Sequence, residues 1–261
     1  MAVPSAGGGR TRIFIVSVFA AIILVVAIVV VVSIVNSSPA ATPTPTPIPT
    51  ATPTATPATK DLHSYFGVPG ATATISGAAT ALTDFKSSAG STKPPVRQVT
   101  VINVTQNSTS LDAPTFMSEL VSGTPGGITA SLSSDWTVMT YGQAEAFNAQ
   151  GGRAADASGP AATILVLGTD NASMTNQLMQ TWESSGLVTA AKGLLSIYPE
   201  RRTGSNFASG VYRQVPLRYS NFPYPDQSID WAIVLASNGK NYLVITNSRE
   251  SMFYAIDHLS Q

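Results

Sequence analysis

The chain has 261 residues with 14 Lys and Arg, 14 Asp and Glu and no Cys, and only 11% of its side chains are charged, against a usual quarter or so. Arg10, Arg12 and Lys60 are the only charges in the first 60 residues, so residues 61–261 carry 11 basic and 14 acidic side chains. That balance argues against a nucleic-acid partner, which needs a clustered basic surface, and the lack of Cys excludes disulfides, thiolate nucleophiles and Cys-ligated zinc.

Residues 13–35, IFIVSVFAAIILVVAIVVVVSIV, are uncharged and broken only by Ser17 and Ser33. At 1.5 Å per residue the run spans roughly 34 Å, enough for one transmembrane helix. Typical signal-peptide apolar regions are much shorter, which favours retention over cleavage after Ala40. Arg10 and Arg12 precede the run and no charge follows it before Lys60, so residues 1–12 are expected in the cytoplasm and the bulk of the chain outside. Residues 36–59 carry prolines at 39, 43, 45, 47, 49, 53 and 57, many alternating with Thr. Such a segment is extended and polyproline-like, a spacer on the order of 70 Å.

Residues 60–95 are rich in Ala, Gly, Ser and Thr and predict a short helix or loose structure. An extracytoplasmic domain over 96–261 follows. VRQVTVINV at 96–104 has the β-branched content of a strand, and Asp112 with Pro114 marks a helix start for 115–121. ITASLSSDWTVMTY at 128–141 reads as two short strands turning at Ser133, Ser134 and Asp135. A short helix around 144–147 and a loop precede ATILVLG at 162–168, a continuous apolar run that suits a central strand. Met174, Leu178 and Trp182 lie four apart on a helix over 171–185, with Gly186 as its cap. Ile229, Trp231, Ile233 and Leu235 alternate with other residues, Asn238-Gly239 offers the positive-φ pair of a two-residue hairpin, and 242–246 returns. Asn247 and Glu250 resemble a capping box, followed by Met252, Ala255, Ile256 and Leu259 at helical spacing. The order of elements predicts an α+β fold, an antiparallel sheet packed with helices.

The strand pattern from Ile128 to Trp136, the late hairpin around Asn238-Gly239 and the closing helix together resemble PsbP-like domains over residues 115–261. Ser133, Ser134 and Asp135 stand where that family usually has a Pro before the Trp. The resemblance implies a curved antiparallel sheet between helices, used mainly for binding or assembly, and it transfers no functional residue.

No catalytic motif is present. His63 and His258 are the only histidines; His258, with Ser251 and Tyr254 on the last helix, is expected on the face opposite the apolar stripe, and adjacent Asp257 points elsewhere. Carboxylates at Asp135, Glu145, Asp156, Asp170, Asp226 or Asp230 fall in no motif, Asp226 and Asp230 lack EF-hand spacing, and no cofactor or metal is implied. Recognition is better served by Tyr219, Phe222 and Tyr224, interleaved with Pro223 and Pro225, whose plainer role is to cover the sheet edge. Basic residues Arg201, Arg202 and Arg213, with Arg218, suit an anionic polymer or a solvated loop. Asn36, Asn103, Asn107 and Asn171 begin N-x-Ser/Thr sequons. The expectation is a single-pass membrane protein whose outer domain binds a protein or envelope polymer. An envelope hydrolase using carboxylates or a Ser-His pair is the alternative.

Overall fold

The computed structural model describes residues 60–145, 147, 152, 153 and 161–261. The expected transmembrane run and Thr-Pro stalk lie outside the described residues, and among those described no helix is long and apolar enough to cross a membrane. Pro57–Gln261 form one compact unit.

Residues 60–95, expected to be loose or to hold one short helix, carry three regular elements: α1 (Leu62–Phe66), β1 (Ala71–Ile75) and α2 (Ala81–Gly90). The chain continues with β2 (Val99–Gln106), β3 (Thr109–Ser110), α3 (Ala113–Leu120), α4 (Gly126–Ala130), β4 (Leu132–Tyr141) and β5 (Ala162–Thr169). Next come α5 (Ala172–Ser185), α6 (Leu187–Leu195), a 3-10 turn (Pro199–Arg201), β6 (Ala208–Tyr212), β7 (Val215–Asn221), β8 (Ser228–Leu235), β9 (Asn241–Thr246) and α7 (Arg249–Leu259).

The strands form one sheet in the order β1-β2-β4-β5-β9-β8-β7-β6, with β3 paired to β2. All pairs are antiparallel except β1 with β2, which run parallel across α2. The sheet is therefore mixed rather than purely antiparallel, while the α+β class stands. Alternate side chains supply two cores. Ile102, Val138, Leu165, Trp231 and Leu243 face α2 to α6, and Val101, Met139, Val166, Ala232 and Val244 face α1 and α7. Helices cover both faces, so every residue of β5 is buried, as its continuous apolar sequence requires.

Caps place several helices. Asp112 Oδ1 accepts from the Thr115 amide at 2.8 Å to start α3, and Asn171 Oδ1 accepts from the Met174 amide at 3.0 Å to start α5, each satisfying a helix donor. In α5 the buried stripe is Thr175, Met179 and Trp182; Met174 is 52% exposed and lies off it. Gly186 ends the helix at φ 152, and α6 begins at once, an element with no expectation in the sequence.

Three local expectations need correction. Ile128 to Ala130 are helical in α4, and residues 132–141 form one strand rather than two. Ser133, Ser134 and Asp135 make a bulge opposite Gly168, where a Cβ would collide with Ser133 Oγ and the Asp135 carbonyl. The described residues between 142 and 160 hold no helix; Phe147 instead bridges to Arg153. The β8–β9 connection is a three-residue loop with Ala236 and Lys240 paired and only Gly239 at positive φ. Asn238 stays at negative φ while its side chain bonds the Lys60 carbonyl and the Tyr242 hydroxyl. Two-residue loops with paired positive φ do occur, at Arg213-Gln214 and Asn107-Ser108. Finally, Ser248 caps α7 by accepting from the Ser251 amide at 3.1 Å, and Asn247 instead accepts from the Thr163 amide and donates to the Leu195 carbonyl.

Candidate functional site

The sheet has two distinct ends. At one, Lys60 lies beside the C-terminus, its Nζ 3.0 Å from the Gln261 carbonyl, and its carbonyl accepts from Asn238 in the β8–β9 loop. At the other, about 23 Å away along the eight residues of β8, stand the β7–β8 loop, the start of α7 and the described residues after β4. Tyr219, Phe222 and Tyr224 belong to β7 and that loop, but they are not a uniform docking surface. Phe222 is fully buried in the core under α2 to α6, preceding a cis peptide to Pro223. Tyr219 is half-buried with the Arg249 guanidinium 4.7 Å from its ring centre. Tyr224 packs 5.7 Å from Phe147 and carries Arg153 at 4.7 Å.

A network of charges ties this end together. Arg153 pairs with Glu145 at 3.0 Å and Arg97 with Glu250 at 3.2 Å. Glu250 Oε2 accepts from the Ala144 amide, while Asp226 Oδ1 accepts from the Glu250 amide at the first turn of α7. Gln143 donates to the Asp226 carbonyl, and the Arg249 amide to that of Pro225. Burial, with Glu145 and Glu250 nearby, pushes the Asp226 carboxyl up despite the helical amide it accepts from.

Beneath this rim lies a dry polar island. Ser228, Asp230, Thr246, Ser248 and Ser251 are all fully buried, on the sheet face covered by α7. The Ser248 and Ser251 hydroxyls bond each other at 2.8 Å, and Thr246 donates to the Ser248 carbonyl at 3.0 Å. Neither carboxylate oxygen of Asp230 has a hydrogen-bond partner, and the Ser228 hydroxyl is also unpartnered. Burial is the main force raising the Asp230 carboxyl to about 7, with neighbouring Ser228 and the Arg249 cation opposing it and Asp226 adding to it. The signal in the sequence was an acid at the centre of SIDWAIVL, on the same strand face as Ala232 and Val234.

The arginines disperse. Arg218 makes a forked pair with Glu183 of α5, Nε to Oε1 at 2.9 Å and Nη2 to Oε2 at 2.6 Å, and Nη1 donates to Ser209 Oγ. Trp231 Nε1 donates to Glu183 Oε1 at 2.8 Å. Arg213 sits in the β6–β7 turn and pairs with Asp257 of α7. Arg202 reaches Ser220 Oγ at 2.6 Å, at the opposite end of β7. The expected grouping of Arg202 with Arg213 is thus not formed. Glu183 and Trp231 are 48 residues apart, and no local motif announces their contact.

The chemistry at the other candidates is limited. His258 Nδ1 lies 2.9 Å from the Tyr254 carbonyl, and the ring stacks on Tyr254 at 3.9 Å, half-buried rather than facing solvent. Ser251, expected beside it on the outer face, is buried. Asp257 turns instead to the Tyr212 hydroxyl at 3.1 Å. Exposed His63 contacts the Gly67 carbonyl. Asp135 accepts from Lys240 and Tyr242 at 3.0 and 2.8 Å, and Asp156 lies outside the described residues. Among the described residues no group of three His, Cys, Asp or Glu side chains comes together to hold a metal. Comparison with protein-family models, curated proteins and solved structures finds no match to this chain.

Proposed function

We propose that the chain is a membrane-anchored, extracytoplasmic binding or assembly protein of the cell envelope, with a non-catalytic head on a Thr-Pro stalk. The observation that carries this reading is the polarity of the sheet. The head's chain begins at Lys60, beside Gln261 and the β8–β9 loop, while Tyr224, Arg153 and the charge network gather at the opposite end. A head tethered through Lys60 would present that opposite end outward. The apolar run at 13–35 and the prolines of 36–59 supply the anchor and the spacer. The PsbP-like reading is supported by the β8–β9 hairpin, the closing α7 and helices on both faces, and weakened by the helical start of the segment from Ile128 to Trp136.

Two experiments test this. Protease treatment of intact cells should release a fragment of about 200 residues, and a protected head would overturn the topology. Purified Pro57–Gln261, a compact unit with its own cores, should be retained on washed envelopes from the source cells and lose most retention on Tyr224→Ala with Arg153→Ala. Soluble polymer fragments released by the head would instead establish the hydrolase alternative.

A further inference from the structure

The outer edge of β6 closes one side of the sheet, and among the described residues nothing pairs with it. Its sequence, Ala-Ser-Gly-Val-Tyr, holds no charge and no Pro, the features that usually block pairing at an edge. Val211 is 73% exposed. Unpaired backbone donors and acceptors in a row are satisfied in register only by another extended backbone.

Beside this edge lies a groove of about 590 Å³ between α5 and the β6–β7 hairpin. Its floor is the Arg218–Glu183–Trp231 chain of hydrogen bonds, which holds each group in one orientation. On its α5 wall stand Asn176 and Gln180, one helical turn apart. Neither amide has a hydrogen-bond partner among the described residues, so each offers both a donor and an acceptor. The only charges lining the groove are Glu183 and Arg218, and they neutralise each other.

We infer that β6 and this groove form a docking site for an extended, uncharged segment of a partner protein, added to the sheet as a strand. The partner backbone pairs with β6, and alternate side chains enter the groove. The absence of net charge there selects small polar or apolar side chains, since a Lys or Glu would be desolvated without a counter-ion. A second copy of β6 would bring to this face only its own Ser209 and Val211, too little to fill the groove. A glycan would leave the backbone edge unpaired. The site stands apart from the outward loop and shares with the proposed function only the premise that the head binds partners, so failure of either leaves the other open to its own test.

The probe is an acetylated, amidated octapeptide, Thr-Val-Ser-Ala-Thr-Val-Ser-Ala, titrated into isotope-labelled Pro57–Gln261. Backbone amides of 208–212 and the side-chain amides of Asn176 and Gln180 should shift together and saturate. Replacing both Val residues of the probe and its second Ala by Pro, which removes backbone donors, should abolish the shifts. Val211→Lys, at an exposed position that tolerates the change, should weaken binding at least about tenfold with an unchanged spectrum elsewhere. Absence of shifts with the first peptide, equal shifts with the Pro peptide, or the same shifts from a chitooligosaccharide would overturn the inference. So would concentration-dependent shifts of 208–212 in the protein alone, which assign the edge to a second copy.

Discussion

Asp230→Asn should stabilise the head at alkaline pH and remove most of a pH dependence that the wild type carries. The carboxyl is fully buried without a hydrogen-bond partner, and its pKa rises from 3.8 to about 7. Between these values the folded state holds a proton that the unfolded chain releases, so stability falls as pH rises from about 4 to about 7 and then levels off. Each unit is worth 1.36 kcal/mol, which sets an upper bound of about 4 kcal/mol for the whole step. Asn is neutral throughout and nearly the same shape. The assay is urea unfolding of Pro57–Gln261, with and without the Asp230→Asn substitution, at pH 4.5, 6, 7 and 8. The two proteins should be close at pH 4.5, and the variant should lead by about 2–4 kcal/mol at pH 8. Asp226, raised in the same direction, and Arg249 face the same end, but both are common to the two proteins, so the difference isolates Asp230. Equal stability at pH 8, or a variant weaker there, would refute the assignment of an unpaired buried carboxyl.

Glu183→Ala removes the acceptor for both Arg218 and the buried Trp231 Nε1, and should cost about 2–3 kcal/mol in unfolding free energy by urea titration at pH 7. Asp112→Ala should cost about 1 kcal/mol at pH 7; hydrogen bonds from Thr115 hold that carboxyl below its usual range, so thermal melts should show the difference shrinking as pH falls below about 4. Gly168→Ala drives a methyl into the β4 bulge and should lose about 2 kcal/mol or more, whereas Gly126→Ala meets nothing within 4 Å and should be neutral or slightly stabilising in the same melts.

What could be read from the sequence was what local pattern fixes. The alternation in β8, the apolar run of β5, the Asp112 start of α3 and the stripe of α7 all appear in the structure where the periodicity puts them. The segment 60–95 was opaque because its core contribution is small. In β1 only Ala73 and Ile75 turn inward, and in α2 only Ala81 and Phe85 are buried. The parallel pairing of β1 with β2 is a long-range event with no local signal. At the candidate sites the failure is of the same kind. Phe222 and Tyr224 are neighbours in a loop, yet one fills the core and the other meets residues across the β4–β5 connection. Glu250 looked like a helix cap but reaches Arg97, 153 residues away.

The scarcity of charge also has a consequence for recognition. Five ion pairs among the described residues engage Arg97, Arg153, Arg213, Arg218 and Lys240 with acids of the same chain. Charges so paired contribute little field beyond a Debye length, and the composition leaves few others to steer a partner. Contacts to the β6 edge and to the amides of Asn176 and Gln180 are neutral hydrogen bonds, which salt screens weakly. Affinity for the uncharged octapeptide should therefore change less than about twofold between roughly 50 and 500 mM NaCl, and the association rate should change as little. An electrostatically driven partner would lose at least about tenfold over that range. A loss of that size in this titration would mean that unpaired charge, rather than backbone and amide geometry, holds the ligand.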